Sequence, residues 1–179
     1  MKNISTIYEK DVYPDKKTED VIFEDRLTVK AIALDSDGKI GLVGNRQNDF
    51  LQLPGGGVDK FEDITESLKR ECLEEIGCSV LLVSEIGCID DYRSRDKKHC
   101  INYCYVVKVV GEKGIPNYTE DEAKIGMYTK WVSPEDAFDL FEKQKQDLEK
   151  GLVTFYNTGF NILRDFIFLK EAMVEDIIK

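Results

Sequence analysis

The chain has 179 residues, of which 42% are hydrophobic and 34% are charged, an ordinary balance for a folded domain. Its net charge is −10, whereas binding to a nucleic-acid backbone requires a basic surface. Polymeric nucleic acid is therefore not an expected partner. No apolar run approaches the roughly 18 residues of a membrane span, and the first residues lack the apolar centre of a signal peptide. With five cysteines, an odd number, these features favour a cytoplasmic protein without a membrane partner.

The first third of the chain predicts strands separated by turns. The run Asp35-Ser36-Asp37-Gly38 is a turn signal, because Gly38 can take a positive φ, and it predicts a hairpin. In chain order the pattern predicts a loose or edge segment at 1–20, a strand at 21–35, a second strand at 39–43, a polar loop at 44–50 and a short extended stretch at 51–53.

The rest of the chain mixes helices and strands. A helix is expected to begin near Asp63 and to end at Gly77, and Ser133 with Pro134 has the pattern of a second helix start. The remaining pattern predicts strands at 79–89 and 99–110, a charged loop at 90–98, a short strand at 130–132, a helix ending at Gly151 and a last helical segment at 155–178. This order predicts α/β layers in one domain spanning residues 1–179.

The segment after the glycine turn at 53–57 carries unusual charge. On a helix, Glu71, Glu74 and Glu75 are at i, i+3 and i+4, so their side chains share one face. Three carboxylates on one face repel each other, and a divalent cation such as Mg²⁺, which takes oxygen ligands, would offset that repulsion. Arg70 can hold a carboxylate by a bidentate pair. One helix therefore offers a metal-facing stripe beside a buried apolar stripe.

Residues 56–78 resemble the Nudix box, the signature of the Nudix hydrolase family. The chain supplies the pattern at the required spacing through Gly56, Glu62, Arg70, Glu71, Cys72, Glu74, Glu75, Gly77 and Cys78. Cysteine at the two apolar positions is acceptable because it behaves as a small buried hydrophobe. Phe61 is a departure, since a small residue, often Gly, precedes the box glutamate. The match of nine positions is far more specific than a lone glycine-rich loop.

The resemblance implies a mixed sheet sandwiched between helices over about 25–142, followed by a helical extension at 143–179. It also implies that Glu71, Glu74 and Glu75 bind Mg²⁺ or Mn²⁺, that Glu71 is a candidate base, and that the Gly56 carbonyl completes the metal ligands. Glu62 and Arg70 would orient this catalytic cluster. Since several family members add an acid from a later loop, we expect Glu122 as a further ligand, with Glu120 as the alternative.

The substrate is less defined by the sequence. Loop residues that could meet a nucleotide are Arg46, Gln47, Tyr92 and Arg93. The leading hypothesis is metal-dependent hydrolysis of a phosphoanhydride bond in a nucleoside diphosphate linked to another moiety: a nucleoside triphosphate, an oxidised nucleotide, a dinucleotide or a sugar nucleotide. A catalytically silent nucleotide-sensing module and an RNA 5′-end pyrophosphohydrolase are the alternatives.

Two further features leave alternatives open. His99, Cys100 and Cys104 lie near Cys88 in sequence, but no second tight ligand pair accompanies them, which favours buried thiols over zinc. The apolar stripe of the last helical segment either completes the core or forms a homodimer interface.

Overall fold

The computed structural model describes residues 1–15, 21–47 and 50–178. Its strands are β1 (Asn3–Ile7), β2 (Glu24–Leu34), β3 (Ile40–Asn45), β4 (Phe50–Gln52), β5 (Ser79–Arg93), β6 (Lys98–Val110) and β7 (Met127–Val132). Its helices are α1 (Glu9–Val12), α2 (Ile64–Ile76), α3 (Glu120–Lys124), α4 (Pro134–Glu149) and α5 (Tyr156–Val174). Among these described residues, no helix is long and apolar enough to cross a membrane.

The seven strands of the described chain form one mixed sheet. Its order is β1-β5-β6-β2-β3-β4, and β7 pairs with β3. The β1–β5 and β2–β6 pairs are parallel, whereas the β2–β3, β3–β4, β3–β7 and β5–β6 pairs are antiparallel. Strand β1 is therefore an edge strand, as the polar start of the chain predicts. The β2–β6 pair, which runs in register over the whole of β2, forms the centre of the sheet.

Helices cover both faces of this sheet. On one face, α2 contributes Leu68, Cys72 and Ile76 to a buried cluster with alternate residues of β2, including Val29 and Ala31. On the other face, α4 and α5 pack a larger cluster against the sheet, with Phe141 and Phe160 fully buried. The expectation of a mixed sheet between helices, with additional C-terminal helices, is confirmed.

The C-terminal helix contributes to the core. In α5, Phe166 and Leu169 are buried, and Leu163 and Met173 pack partly buried against the same cluster. Ile177, the last position of the predicted stripe, follows the end of α5 at Val174 and packs there too. Burial of this stripe accounts for its apolar character within one chain, and the homodimer interface stays an untested prediction.

The predicted charged loop at 90–98 was wrong. Strands β5 and β6 pair as far as Arg93 opposite Lys98, so only residues 94–97 turn. This pairing is possible because β1 lies on the other side of β5, with Ile7 beside Asp91. Strand β1 thus pairs with the backbone groups on the second edge of β5. Tyr92 and Arg93 therefore belong to a strand. The polar loop predicted at 44–50 is also shorter, since its first residues extend β3 and its last begins β4; residues 48 and 49 of it lie outside the described chain.

Helix α2 has the predicted ends. The Asp63 side chain accepts a hydrogen bond from the Thr65 amide at 2.8 Å and caps the first turn. Gly77 takes φ +66 at the C-terminus, which is the usual left-handed end of a helix. These two caps fix which residues of the helix point toward the glycine turn.

Phe61, which stands where the family pattern has a small residue, has an unusual backbone conformation. It adopts φ +74 and its side chain is 95% exposed, so the backbone there has a conformation that glycine tolerates far better. We expect Phe61→Gly to raise the free energy of unfolding by about 0.5–1 kcal/mol, because relief of the strain exceeds the entropy that glycine adds to the unfolded chain. Urea denaturation with matched m-values measures the change. An equal loss of stability would show that the ring, over which Lys60 lies at 5.1 Å, stabilises the turn.

Candidate active site

The glycine turn runs beside β2 and is tied to it by backbone hydrogen bonds. The Val29 amide donates to the Gly56 carbonyl and the Ala31 amide to the Pro54 carbonyl, each at 2.9 Å. Between them, the Lys30 ammonium donates to the Leu53 carbonyl at 3.0 Å and to the Gly55 carbonyl. Burial and the nearby charge of Arg164 lower the pKa of Lys30. A buried lysine therefore holds the turn from beneath.

Arg70 is the centre of a carboxylate cluster on α2 and the segment before it. Its Nε and Nη2 donate to the two oxygens of Glu62 at 2.9 and 3.0 Å, a bidentate pair. Its Nη1 donates to Glu71 at 2.8 Å and to Glu74 at 3.1 Å. The Arg70 pair, followed by a hydrogen bond from Ser67, lowers the pKa of Glu62 to about 2. Glu62 therefore stays ionised and fixes the position of Arg70.

Glu71 packs against the glycine turn where only glycine fits. A Cβ built on Gly56 would lie 2.6 Å from Glu71 Oε1. Burial raises the pKa of Glu71, although the Arg70 guanidinium opposes that rise. The missing side chain of Gly56 thus leaves room for a partly desolvated carboxylate directly beside the backbone.

Glu75 lies deeper in the same site and is only 8% exposed. Its Oε2 accepts a hydrogen bond from the Gly55 amide at 2.5 Å. Burial raises the pKa of Glu75 to about 7, while Lys30 and the Gly55 amide lower it and the charges of Glu71 and Glu122 add to the rise. The raised pKa of Glu75 is therefore mainly an effect of its burial.

The donor set fits a hard divalent cation. The Glu71 carboxylate lies beside the Gly56 backbone, and the Glu74 carboxylate on the same helix is 44% exposed, so oxygen donors from α2 stand next to the carbonyl groups of the glycine turn. In the described chain, however, no three His, Cys, Asp or Glu side chains converge as a metal centre would. The reason is that each carboxylate is bound to a protein donor, Glu71 and Glu74 to Arg70, and Glu75 to Gly55. The metal roles stay predictions.

Glu122 lies close to this cluster on the short helix α3. Its charge adds to the raised pKa of Glu75, after the larger effect of burial. Tyr118, just before α3, donates to the Glu75 carbonyl at 3.0 Å and ties the two segments together. In this structure the Glu122 carboxylate caps its own helix by accepting from the Thr119 amide at 2.8 Å. Its position favours Glu122 over Glu120 as the additional acid.

The four predicted substrate residues are not brought together. Arg46 and Gln47 are exposed beside the α3–β7 connection, where their amides donate to the Gly126 and Ile125 carbonyls at 3.3 Å. Gln47 also borders a separate cavity of about 290 Å³ with Phe50 and residues of the α4–α5 connection. These positions lie on the Glu122 side of the site.

Tyr92 has no ring face open for a nucleotide base. Its ring stacks on Tyr8 at 5.3 Å and on His99 at 4.3 Å; Tyr8 directly follows β1, and His99 is in β6. The His99 ring in turn contacts Asp25 at 2.8 Å and Asp90 at 2.9 Å. The row of rings holds β1, β5 and β6 together, so the structure gives Tyr92 a packing role away from the glycine turn.

Arg93 does reach the glycine turn, although from a strand and not from a loop. It is buried, and with Arg26, Lys30 and Arg164 it lines a cavity of about 200 Å³ beside Gly55, Gly56 and Gly57. We name this space the basic cavity. Sequence analysis missed Arg26, Lys30 and Arg164. A lysine inside the apolar run of β2 was the available signal, because a buried cation needs partners.

The five cysteines do not form a metal site. All are free thiols, and burial raises the pKa of Cys88, Cys100 and Cys104. Cys100 and Cys104 are buried, as expected, and within the described residues no group of His, Cys, Asp and Glu side chains is arranged to hold a metal.

Solved structures establish the class of fold. The chain resembles a NUDIX hydrolase from Nitrosomonas europaea with a TM-score of 0.55 and 20% identity, over 80% of this chain and 93% of that one. It resembles the MutT NUDIX hydrolase from Burkholderia pseudomallei with a TM-score of 0.53 and 19% identity, over 63% and 85%. At these identities the likeness defines the fold alone. Residues 24–154 match the family profile of the NUDIX domain, and the chain belongs to the Nudix family.

Two curated relatives add sequence similarity. The chain is 29% identical over 124 residues to diphosphoinositol polyphosphate phosphohydrolase 2 of Rattus norvegicus, which is 69% of this chain and 65% of that protein. It is 44% identical over 41 residues to 8-oxo-dGTP diphosphatase of Buchnera aphidicola subsp. Acyrthosiphon pisum (strain APS), which is 23% of this chain and 33% of that one. The chain thus spans less than two thirds of the length of either relative.

Proposed function

We propose that this protein is a divalent-metal-dependent pyrophosphohydrolase that cleaves a phosphoanhydride bond in a nucleoside diphosphate linked to another moiety. The observation that carries the proposal is the complete cluster around Arg70, in which Glu62, Glu71 and Glu74 all bind one guanidinium beside the glycine turn. A protein that only sensed nucleotides would not need to retain every one of these carboxylates.

Glu71, Glu74, Glu75 and the Gly56 carbonyl would hold Mg²⁺ or Mn²⁺, with Glu122 as a further acid. When bound, the cation neutralises phosphate charge and lowers the pKa of a coordinated water. Glu71 is the candidate base, because its carboxylate lies beside the glycine turn next to the other proposed ligands; burial raises its pKa and Arg70 opposes that rise. Its neighbours Arg70 and Gly56 fix where that carboxylate stands.

Arg70 is a positioning residue in this proposal. Its bidentate pair with Glu62 locks the guanidinium, so that Nη1 presents one donor to Glu71 and one to Glu74. The side chain is 31% exposed, and its ion pairs in the described chain are all with carboxylates of this cluster. It therefore holds two candidate ligands at a defined separation and reduces their mutual repulsion.

A second substrate class has support from a separate observation. Four cations line the basic cavity, and the relative from Rattus norvegicus is named for action on a diphosphoinositol polyphosphate. A diphosphate group on a polyphosphorylated scaffold without a base is therefore the alternative to a nucleotide.

The test is a panel of substrates incubated with purified protein and Mg²⁺, Mn²⁺ or EDTA. The panel includes 8-oxo-dGTP, dGTP, ADP-ribose, a diadenosine polyphosphate, a nucleotide sugar and a diphosphoinositol polyphosphate, and products are separated by ion-exchange chromatography. We expect cleavage of one class that EDTA abolishes, releasing a nucleoside monophosphate from a nucleotide or inorganic phosphate from the inositol compound. Binding of a nucleotide without turnover under any metal would establish the sensing alternative instead.

A further inference from the structure

The basic cavity departs from the charge of the chain around it. The whole chain carries 35 acidic against 25 basic residues. The basic cavity is nevertheless lined by Arg26, Lys30, Arg93 and Arg164, and no Asp or Glu is among its described lining residues. Local reversal of charge on so acidic a protein points to an anionic ligand, since an uncompensated group of cations repels itself.

Only part of this positive charge is paired within the protein. Arg93 binds Asp91 through Nε at 2.6 Å and Nη2 at 3.1 Å, and Arg164 binds Asp165 at 2.7 Å. In the described chain, Arg26 and Lys30 have no carboxylate within ion-pair distance. The charges of Asp165, Glu75 and Glu71 still act on Lys30 from beyond ion-pair distance. Arg26, at the mouth of the cavity, is therefore the least compensated of the four cations among the described residues.

Arg164 on α5 also has an unused donor. The residue is only 3% exposed. Its Nε donates to Asp165, and its Nη1 donates to Asn161 at 3.2 Å and Asn102 at 3.3 Å. Its Nη2 is buried and has no hydrogen-bond partner among the described residues. Buried donors in folded proteins nearly always have a partner, so this nitrogen identifies a position where an acceptor is missing.

Two arginines are held side by side at this position. The Asn161 side-chain oxygen accepts from Arg93 Nη2 and from Arg164 Nη1, each at 3.2 Å. A single neutral acceptor thus holds two guanidinium groups close together. Planar guanidinium forks match the oxygens of a phosphoryl group, and two such groups held together offer it several donors.

We propose that the basic cavity binds a phosphoryl group of the substrate, with Arg164 of α5 at its buried floor and the exposed Arg26 at its mouth. The glycine turn connects this subsite with the carboxylate cluster, because Gly56 lines the cavity and also contacts Glu71. Helix α5 therefore has a binding role in addition to its packing role. That the phosphoryl group belongs to a substrate rests on the proposed function, whereas binding of the anion does not.

Calorimetry with inorganic pyrophosphate in EDTA tests the subsite without a contribution from the metal. We expect saturable binding to the full chain that weakens as salt is added. Arg26→Gln and Arg164→Lys are each expected to weaken the affinity at least 10-fold. Arg95→Gln is the matched control, because Arg95 is an exposed arginine outside the cavity, paired with Asp96 at 3.5 Å, and it should bind as the wild type does.

Thermal melting verifies that each variant is folded. Arg164 is buried, so Arg26→Gln decides the question if Arg164→Lys does not fold, since the exposed Arg26 makes no ion pair in the described chain. No binding by the wild type, or equal binding by wild type and Arg26→Gln, would overturn the inference.

The same variants separate this inference from the proposed function. If the protein hydrolyses a substrate of the panel but Arg26→Gln has an unchanged KM and pyrophosphate affinity, the inference fails and the proposed function stands. If pyrophosphate binds and both variants lose it while no substrate is cleaved with any metal, the subsite stands and the proposed function fails. If both hold, Arg26→Gln raises KM for the substrate at least 10-fold with little effect on kcat.

Discussion

Glu75→Gln is expected to reduce turnover at least about 1,000-fold in Mg²⁺ while the protein stays folded. The side chain is 8% exposed and lies between the Gly55 amide and the buried Lys30. The amide oxygen of glutamine still accepts from Gly55, so the turn keeps its anchor. The substitution removes the negative charge, and a neutral amide is a much poorer ligand for a hard divalent cation.

The measurement is kcat with the substrate found by the panel, together with the melting temperature in EDTA. A melting temperature within about 4 °C of the wild type corresponds to about 1 kcal/mol and shows an intact fold. Glu66→Gln is the matched control, because Glu66 is an exposed glutamate in the first turn of the same helix, and its loss should leave turnover unchanged. Wild-type turnover and metal dependence in Glu75→Gln would remove Glu75 from the proposed ligands.

The part of the site that lies within one stretch of sequence was predictable. Glu71, Glu74 and Glu75 share a helix face because of helix periodicity alone, and the positions of Asp63 and Gly77 fix the ends of that helix. The link from Arg70 to Glu62 follows from the same short segment. Local signals of this kind depend only on neighbours in sequence, so they predict structure without knowledge of the tertiary fold.

The part of the site that depends on distant segments was not predictable. Lys30 and Arg164 meet beside the glycine turn only because α5 packs on the face of the sheet opposite α2. In sequence, Arg164 is one charged residue within an apolar helix. Its neighbours Asn102 and Asn161 come from a strand and from the previous turn of α5, and no local pattern relates them.

Charge also gave a wrong prediction at 90–98. A run of charged residues looks like a loop when its partners are unknown, but Asp91 and Arg93 are buried and bind each other at 2.6 Å. Here β1 pairs with β5 near the C-terminal end of β5, and Tyr92 stacks between His99 of β6 and Tyr8, which follows β1. That cross-strand packing stabilises a strand that its own composition does not favour. Arg93 therefore lies in a strand and lines the basic cavity, although the sequence predicted a loop there.

Gly55→Ala is expected to destabilise the protein by about 3 kcal/mol or more. Gly55 has φ +130, a region that residues with a side chain rarely adopt. A Cβ there would lie 2.1 Å from the Val29 carbonyl oxygen and 3.0 Å from Lys30 Cα, and both are backbone atoms of the central strand. Neither can move without disturbing the β2–β6 pairing, so the turn has to shift instead.

Shifting the turn has a second consequence at the site. The Gly55 amide donates to Glu75 and its carbonyl accepts from Lys30, so displacement weakens two contacts that hold the carboxylate cluster beside the basic cavity. Urea denaturation should therefore show the lost stability, and pyrophosphate binding in EDTA should weaken with it. Gly111→Ala is the matched control, because Gly111 has φ +75 and no atom lies within 4 Å of its added Cβ. It should lose only about 1 kcal/mol. Equal stability of the two variants would mean that the turn relaxes freely and does not fix the geometry of the site.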